Sequence, residues 1–241
     1  MNGRVEATVT GERVTHLSCS PPLAAKVLPG PTLLLVGSAA GLLEGDRCDV
    51  RLRLGRGSRM TVRTVAATLA HACPTGGSTA FDVEIDLGAG ARLTWSPEPL
   101  VAHAGCRHRS TARVSLAAGA AAMWSETLSL GRSGEEAGDV EVRLDVELDR
   151  VPLLRDGLRA GPSAAGWAGP AVLAGARHLG TVALLGTRLT TDDPNVMDLA
   201  GPGALARALA DDAVVLERRL APVRRLFLDR LTSPEEFSNV A

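Results

Sequence analysis

Two short segments carry the residue types best suited to holding a transition metal. They are His71-Ala72-Cys73 and the run HAGCRH, which contains His103, Cys106 and His108. Imidazole and thiolate suit nickel, copper and zinc. Cys73 and Cys106 are 33 residues apart, which is also the offset between two internal repeats. In a stack of such repeats the two cysteines would lie over one another and bring His71 and His103 close. The competing reading is that the cysteines are small hydrophobes in loops and the histidines are surface residues. Elsewhere the chemistry is defined by absence. No G-x-x-x-x-G-K-[ST] occurs, and the glycine-rich turns lie between strands rather than before a helix, so no phosphate cradle is expected. G-x-S-x-G, H-E-x-x-H and a pair of C-x-x-C units are also missing, which removes the minimum parts of a hydrolase, a zincin or a zinc ribbon. Asp145 and Glu147 share a strand face and have the residue types of a glycosidase pair. They belong, however, to a charge alternation that reads as the wet side of a sheet. The chain is not expected to be an enzyme.

The elements that would position these residues repeat. LGRGSRMTV (residues 54–62), LGAGARLTW (87–95) and LAAGAAAMW (116–124) align at offsets of 33 and 29. Each is led by a segment of period two, such as VRLRL (50–54) and VEIDL (83–87), which places apolar side chains on one face and charges on the other. VEVRLDVEL (140–148) continues this alternation. Glycine at the centre of each turn accepts positive φ, so a hairpin is expected there. A period near 30 is the mark of a stacked array, and a β-solenoid is favoured over an antiparallel sandwich.

The pattern changes after Pro152. Residues 160–176 are rich in Gly, Ala and Pro around Trp167 and read as an irregular crossing, and 178–189 read as one more strand. DDPN and GPG make residues 190–203 a linker by turn chemistry. Leu205, Leu209, Leu216 and Leu220 then follow helical spacing. Pro222 interrupts it, and 223–231 form a second short helix carrying Arg224, Arg225 and Arg230 around Leu226 and Leu228. That helix is either a solvated element docked on the sheet or a docking element for a partner protein. The expected organisation is a β-repeat domain over 1–189, a linker over 190–203 and a helical segment over 204–241. The fold class is mainly β, a solenoid with two short C-terminal helices.

Composition narrows the partners. Lys plus Arg total 26 against 27 for Asp plus Glu, so no global field steers the chain to nucleic acid or an anionic membrane. Three Trp, three Phe and no Tyr leave few stacking platforms for single-stranded nucleic acid. Residues 1–20 lack the apolar core of a secretory signal. The uncharged runs 27–43 and 160–176 are broken by Gly and Pro, and fall short of the roughly 20 apolar residues of a membrane span. A cytoplasmic protein with four reduced cysteines is expected.

GLLEGDR (residues 41–47) resembles the G-G-x-x-x-G-D segment of the UreD (UreH) family of urease accessory proteins, with Ala40 where the first glycine usually stands. WSPEP (95–99) resembles that family's W-x-P-E/Q-x, and WSETLSLGR (124–132) resembles its W-E-x-x-x-L-G-R. RDGL (155–158) and the basic C-terminal segment fit its end, so the resemblance runs from Gly3 to about Leu231. Two segments depart from the family. Thr68-Leu69-Ala70-His71 stands where a T-K-F-Y-like segment is usual, and Val27-Leu28-Pro29-Gly30 replaces a Pro-Tyr-Pro-Glu-Gly-like one.

The resemblance implies a nickel-insertion chaperone that binds no cofactor tightly and handles nickel only in transit. It also implies a complex with UreF and the GTPase UreG that docks on apo-urease. A path for a divalent cation should offer exchangeable oxygen ligands, and Asp46, Thr68, Glu98, Glu126 and Asp156 occupy the family's motif positions. For each of them the alternative is a turn cap or a solvent-facing side chain. For the whole chain the alternative is a β-solenoid protein-binding module, a divergent paralogue with no role in metal transfer.

Overall fold

The computed structural model describes residues 1–39 and 41–233. Ala40 and residues 234–241 of the expected C-terminal helical segment lie outside it. In chain order the strands are β1 Asn2–Thr10, β2 Arg13–Ser20, β3 Leu23–Leu28, β4 Thr32–Gly37, β5 Arg47–Leu54, β6 Arg59–Thr64, β7 Thr68–Ala70, β8 Thr79–Leu87 and β9 Arg92–Trp95. They continue as β10 Leu100–Ala102, β11 Arg107–Leu116, β12 Ala121–Leu130, β13 Asp139–Leu148, β14 Val151–Ala160, β15 His178–Leu185, β16 Val196–Asp198 and β17 Gly203–Ala210, followed by α1 Ala213–Thr232. The protein is mainly β and forms a solenoid-like stack.

The three aligned repeats are successive coils of that stack. The lead-in strands β5, β8 and β11 pair in parallel with one another and with β13, so Leu54, Leu87, Leu116 and Leu148 form one row. The strands after each turn, β6, β9 and β12, pair in parallel in the opposite sheet. The glycine turns are therefore corners between sheets, and not the hairpins expected from the sequence. Gly57, Gly90 and Gly119 have φ of 66°, 69° and 69°, as the tight corner demands. The corners also bond to one another, Gly57 N–H donating to Ala89 O at 2.9 Å and Gly90 N–H to Ala118 O at 3.2 Å. A donor spent on the next coil is lost to a local hairpin, which is why equivalent strands stack instead.

Period-two alternation then sorts the faces. On β8, Val83, Ile85 and Leu87 are buried between the sheets while Glu84 and Asp86 are exposed. The outer charges meet register partners, Arg51–Glu84 at 3.4 Å and Arg53–Asp86 at 3.8 Å. Exposed pairs of this kind add little stability, so the fold rests on the inner rows. Asp145 and Glu147 belong to the wet face as expected, paired to Arg143 and Arg155 at 2.8 Å each.

The seven-stranded sheet runs β14-β13-β11-β8-β5-β1-β2 and faces a larger sheet ordered β16-β17-β15-β12-β9-β6-β4-β3. Both sheets end in antiparallel strands. Residues between β14 and β15 form turns without strands, in line with an irregular crossing.

The C-terminal region differs from the sequence expectation. Leu205 and Leu209 lie on strand β17, antiparallel to β15, and β16 falls within the stretch read as a linker. Two leucines four residues apart fit one face of a strand as well as one face of a helix, and pairing with β15 decides between them. The two expected helices are one. Asp212 caps α1 by accepting from Val214 N and Val215 N, and Pro222 sits inside the helix. Leu216, Leu220, Val223, Phe227 and Leu231 form an unbroken buried stripe across the proline, packed with Val182, Leu184 and Ala206 of the sheet. Burying that stripe outweighs the roughly 3 kcal/mol that a proline costs inside a helix. Among the described residues no helix is long and apolar enough to cross a membrane.

Candidate functional site

Between the two sheets lies a cavity of about 100 Å³, room for several water molecules at one probe sphere each. It extends from Leu35 on β4 to Arg207 on β17 along the larger sheet, and is closed on the other side by β8, β11, β13 and β14. Thr68, Glu98, Glu126 and Asp156 all line it. The coils of the solenoid thus gather four side chains that lie far apart in the sequence along one axis.

Glu126 sits in its middle. β12 alternates, so Glu126 faces inward with Trp124 and Leu128, and its register partner across β15 is Thr181. Trp95 and Trp124 occupy the same register in adjacent coils and stack with ring centroids 4.8 Å apart and planes 8° from parallel. Trp95 Nε1 donates to Glu126 Oε1 at 3.3 Å, whereas the buried Trp124 Nε1 makes no well-formed hydrogen bond. Burial raises the Glu126 carboxyl above the ordinary carboxylate range, against the pull of the Trp124 and Trp95 indole N–H groups, and the Asp156 charge adds to the rise. Burial without a cationic partner makes the ionised carboxyl costly, so a cation entering the cavity would be a favourable counter-charge.

The two ends of the cavity are wetter. Glu98 is exposed on the β9–β10 loop, with its backbone N–H donating to Thr64 Oγ1 at 2.8 Å and Arg63 at 3.9 Å from its carboxylate. Thr68 begins the neighbouring strand β7, its N–H bonded to Pro99 O at 2.9 Å. At the other end Asp156 on β14 pairs with the Arg207 guanidinium, and Arg207 Nε donates to Thr181 Oγ1 at 3.3 Å. Arg207 spans the gap between the sheets there. Nothing local marks it, because the leucine spacing of its segment fits a helix as well as a strand.

Asp46 is elsewhere. It is 3% exposed, accepts from Leu43 N–H at 3.0 Å and binds the amino group of Met1. In this structure it caps a turn and does not reach the cavity.

The histidine and cysteine segments do converge. His71 and His103 meet edge to face with centroids 4.7 Å apart, as the repeat offset requires. Cys73 donates to His71 O at 3.8 Å and Cys106 to Asp139 O at 3.5 Å. Burial, then the nearby Cys73 and Asp139, pushes the Cys106 thiol up to about 12, so it remains a protonated donor instead of a thiolate ligand. Burial, with Arg132 next in effect, lowers His103 below the ordinary imidazole range. Among the described residues no group of three or more His, Cys, Asp or Glu is arranged to hold a metal ion. These residues behave as a packed corner with free thiols.

The basic helix divides into two faces. Arg224 Nε donates to Ser125 Oγ at 2.9 Å and Arg230 Nε to Arg188 O at 2.8 Å, so the first ties α1 to the sheet and the second to the loop after β15. Leu226 is partly buried against the helix–sheet core. Arg225 is exposed and Leu228 is 39% exposed.

Comparison with known proteins identifies the family of the chain. The UreD urease accessory protein family model matches residues 4–237. A "Urease accessory protein UreD" of Parafrankia sp. (strain EAN1pec) is 37% identical over 254 aligned residues, covering 92% of this chain and 86% of the relative. One from Streptomyces coelicolor is 38% identical, covering 78% of each chain. "Urease accessory protein UreD 3" of Streptomyces griseus is 36% identical over 92% and 93% of the two chains. The match of the family model over nearly the whole chain, together with these relatives, establishes that the chain belongs to the UreD urease accessory protein family.

Proposed function

We propose that this chain serves urease maturation by passing nickel along the inter-sheet cavity toward apo-urease, as a non-catalytic scaffold in a complex with UreF and the GTPase UreG. The observation that carries this reading is the gathering of Thr68, Glu98, Glu126 and Asp156 along one cavity. Oxygen ligands hold a divalent cation loosely enough to release it. Exposed Glu98 collects the ion at one mouth, the Glu126 carboxylate accepts it in the buried stretch, and Asp156 receives it once Arg207 swings aside. Nickel is cargo throughout, and the chain needs no resident cofactor. Of the basic-helix candidates, Arg225 and Leu228 face outward on α1 and are the ones left to meet a partner protein, and the complex acts in the cytoplasm.

The test is urease produced with this chain as its only UreD. Glu126→Gln keeps an acceptor for Trp95 and removes the charge, and Glu98→Ala strips one mouth. Each should lower nickel per urease active site severalfold while the accessory complex is still recovered. Unchanged nickel in both variants overturns the passage and leaves a scaffold that acts by protein binding alone.

A further inference from the structure

His108, at the end of the HAGCRH run, stands apart from the packed corner of His71, Cys73, His103 and Cys106; it is 4% exposed and lines the cavity. It lies on β11 beside its register partner Thr79 on β8, and its Nδ1 is 2.8 Å from Thr79 Oγ1. Its other ring nitrogen, Nε2, is buried without a hydrogen-bond partner. Ser110, two residues along the same strand face, lines the cavity too. A buried polar atom is rarely left unpaired without a reason.

We propose that His108 Nε2 is a nitrogen ligand for a borderline transition-metal dication inside the cavity, oriented by Thr79, and that it makes the passage prefer such ions over magnesium. This inference rests on the reading that a divalent cation moves through the cavity. When Nδ1–H donates to the Thr79 hydroxyl, Nε2 turns a lone pair inward. The opposite tautomer would present an N–H to the ion. A hydrogen bond on the far nitrogen is the usual way in which a ligating imidazole is fixed in tautomer and orientation. Burial, reinforced by the Arg109 charge, lowers the imidazole to about 4, so the ring is neutral at pH 7 and no proton has to leave when a metal arrives. The oxygen donors of the cavity serve hard and borderline dications alike. Among the described lining residues imidazole is the one donor that rewards nickel, and magnesium gains little from it. Since no cluster of three ligands is present among the described residues, solvent and lining oxygens complete the shell, and the site is one of transit.

The experiment uses the purified full chain titrated separately with Ni²⁺ and Mg²⁺, with X-ray absorption on the nickel-loaded protein. The expected result for the unaltered chain is imidazole scattering from bound nickel. His108→Gln should lose that signature and bind nickel about tenfold or more weakly, with Mg²⁺ affinity changed by less than about twofold. Thr79→Val should weaken nickel similarly, and Thr79→Ser should retain it. Nickel binding and imidazole scattering that persist in His108→Gln overturn the proposal. Should His108→Gln fail to fold, histidine resonances of the unaltered chain decide the matter. Sub-stoichiometric Ni²⁺ must broaden His108 first, and earlier broadening of His71 or His103 rejects the site. The two readings separate cleanly. If Glu126→Gln stops nickel delivery but His108→Gln leaves metal preference unchanged, the passage stands and His108 is dropped. If nickel binds at His108 while Glu126→Gln delivers normally, the passage is what fails.

Discussion

Pro222→Ala removes a ring from the middle of α1 at an exposed position, so no core contact is lost. Inside a helix, proline forfeits one backbone hydrogen bond and crowds the preceding turn, at a cost of about 3 kcal/mol. The alanine chain is freer when unfolded, which takes back up to about 1 kcal/mol. The net expectation is a gain of about 2 kcal/mol, or roughly 4–8 °C in Tm for a chain of this size. Thermal and urea unfolding measure the gain, and hydrogen exchange over residues 222–226 should slow. The buried stripe runs unbroken from Leu216 through Val223 to Leu231 and favours one continuous helix. A neutral or destabilising result would refute it, because proline would then be favoured as the break between two separate helices.

Other outcomes follow from burial. Exposed Cys19 should react with iodoacetamide at pH 8 long before Cys48 and Cys106, whose thiols burial pushes up to about 11 and about 12; mass spectrometry showing equal labelling in the folded protein would contradict this. Burial, with Arg177 next, holds His178 below the 6.5 of a free imidazole. The unfolded chain therefore takes up that proton first, and this contribution to stability, fully present above about pH 6.5, is lost as the pH falls below it. Urea midpoints from pH 7.5 to 5.5 should decline less steeply in His178→Gln, and parallel slopes would remove His178 as a contributor.

The coils were legible because both signals they need are local. Period-two segments such as VEIDL declare a half-buried strand, and a glycine at a fixed place in LGRGSRMTV and LGAGARLTW declares a turn. What those glycines join was not legible. A corner and a hairpin ask the same φ of glycine, and only bonds such as Gly57 N–H to Ala89 O tell them apart. Leu205 and Leu209 misled for a similar reason, since a spacing of four satisfies strand and helix alike. At the site, the motif positions of Thr68, Glu98, Glu126 and Asp156 pointed to residues that do share a cavity. Asp46 had the same kind of support and turned out to be a cap. Arg207 carried no signal in the chain, and His108, within the HAGCRH run, carried one for metal but none for the cavity. Arg207 acts through a partner 51 residues away, and the unpaired nitrogen of His108 exists only once β8 and β11 lie side by side.

The claim that nickel travels between the sheets is tested most directly by plugging the cavity without touching a carboxylate. Thr181 faces Glu126 across the β12–β15 pair and lines the passage. Nickel per urease active site should be measured after maturation with Thr181→Trp and with Thr181→Ser, the complex being recovered intact in both cases. Nickel-poor urease is expected with the tryptophan and normal urease with the serine. Fully loaded urease with the tryptophan in place would contradict the claim.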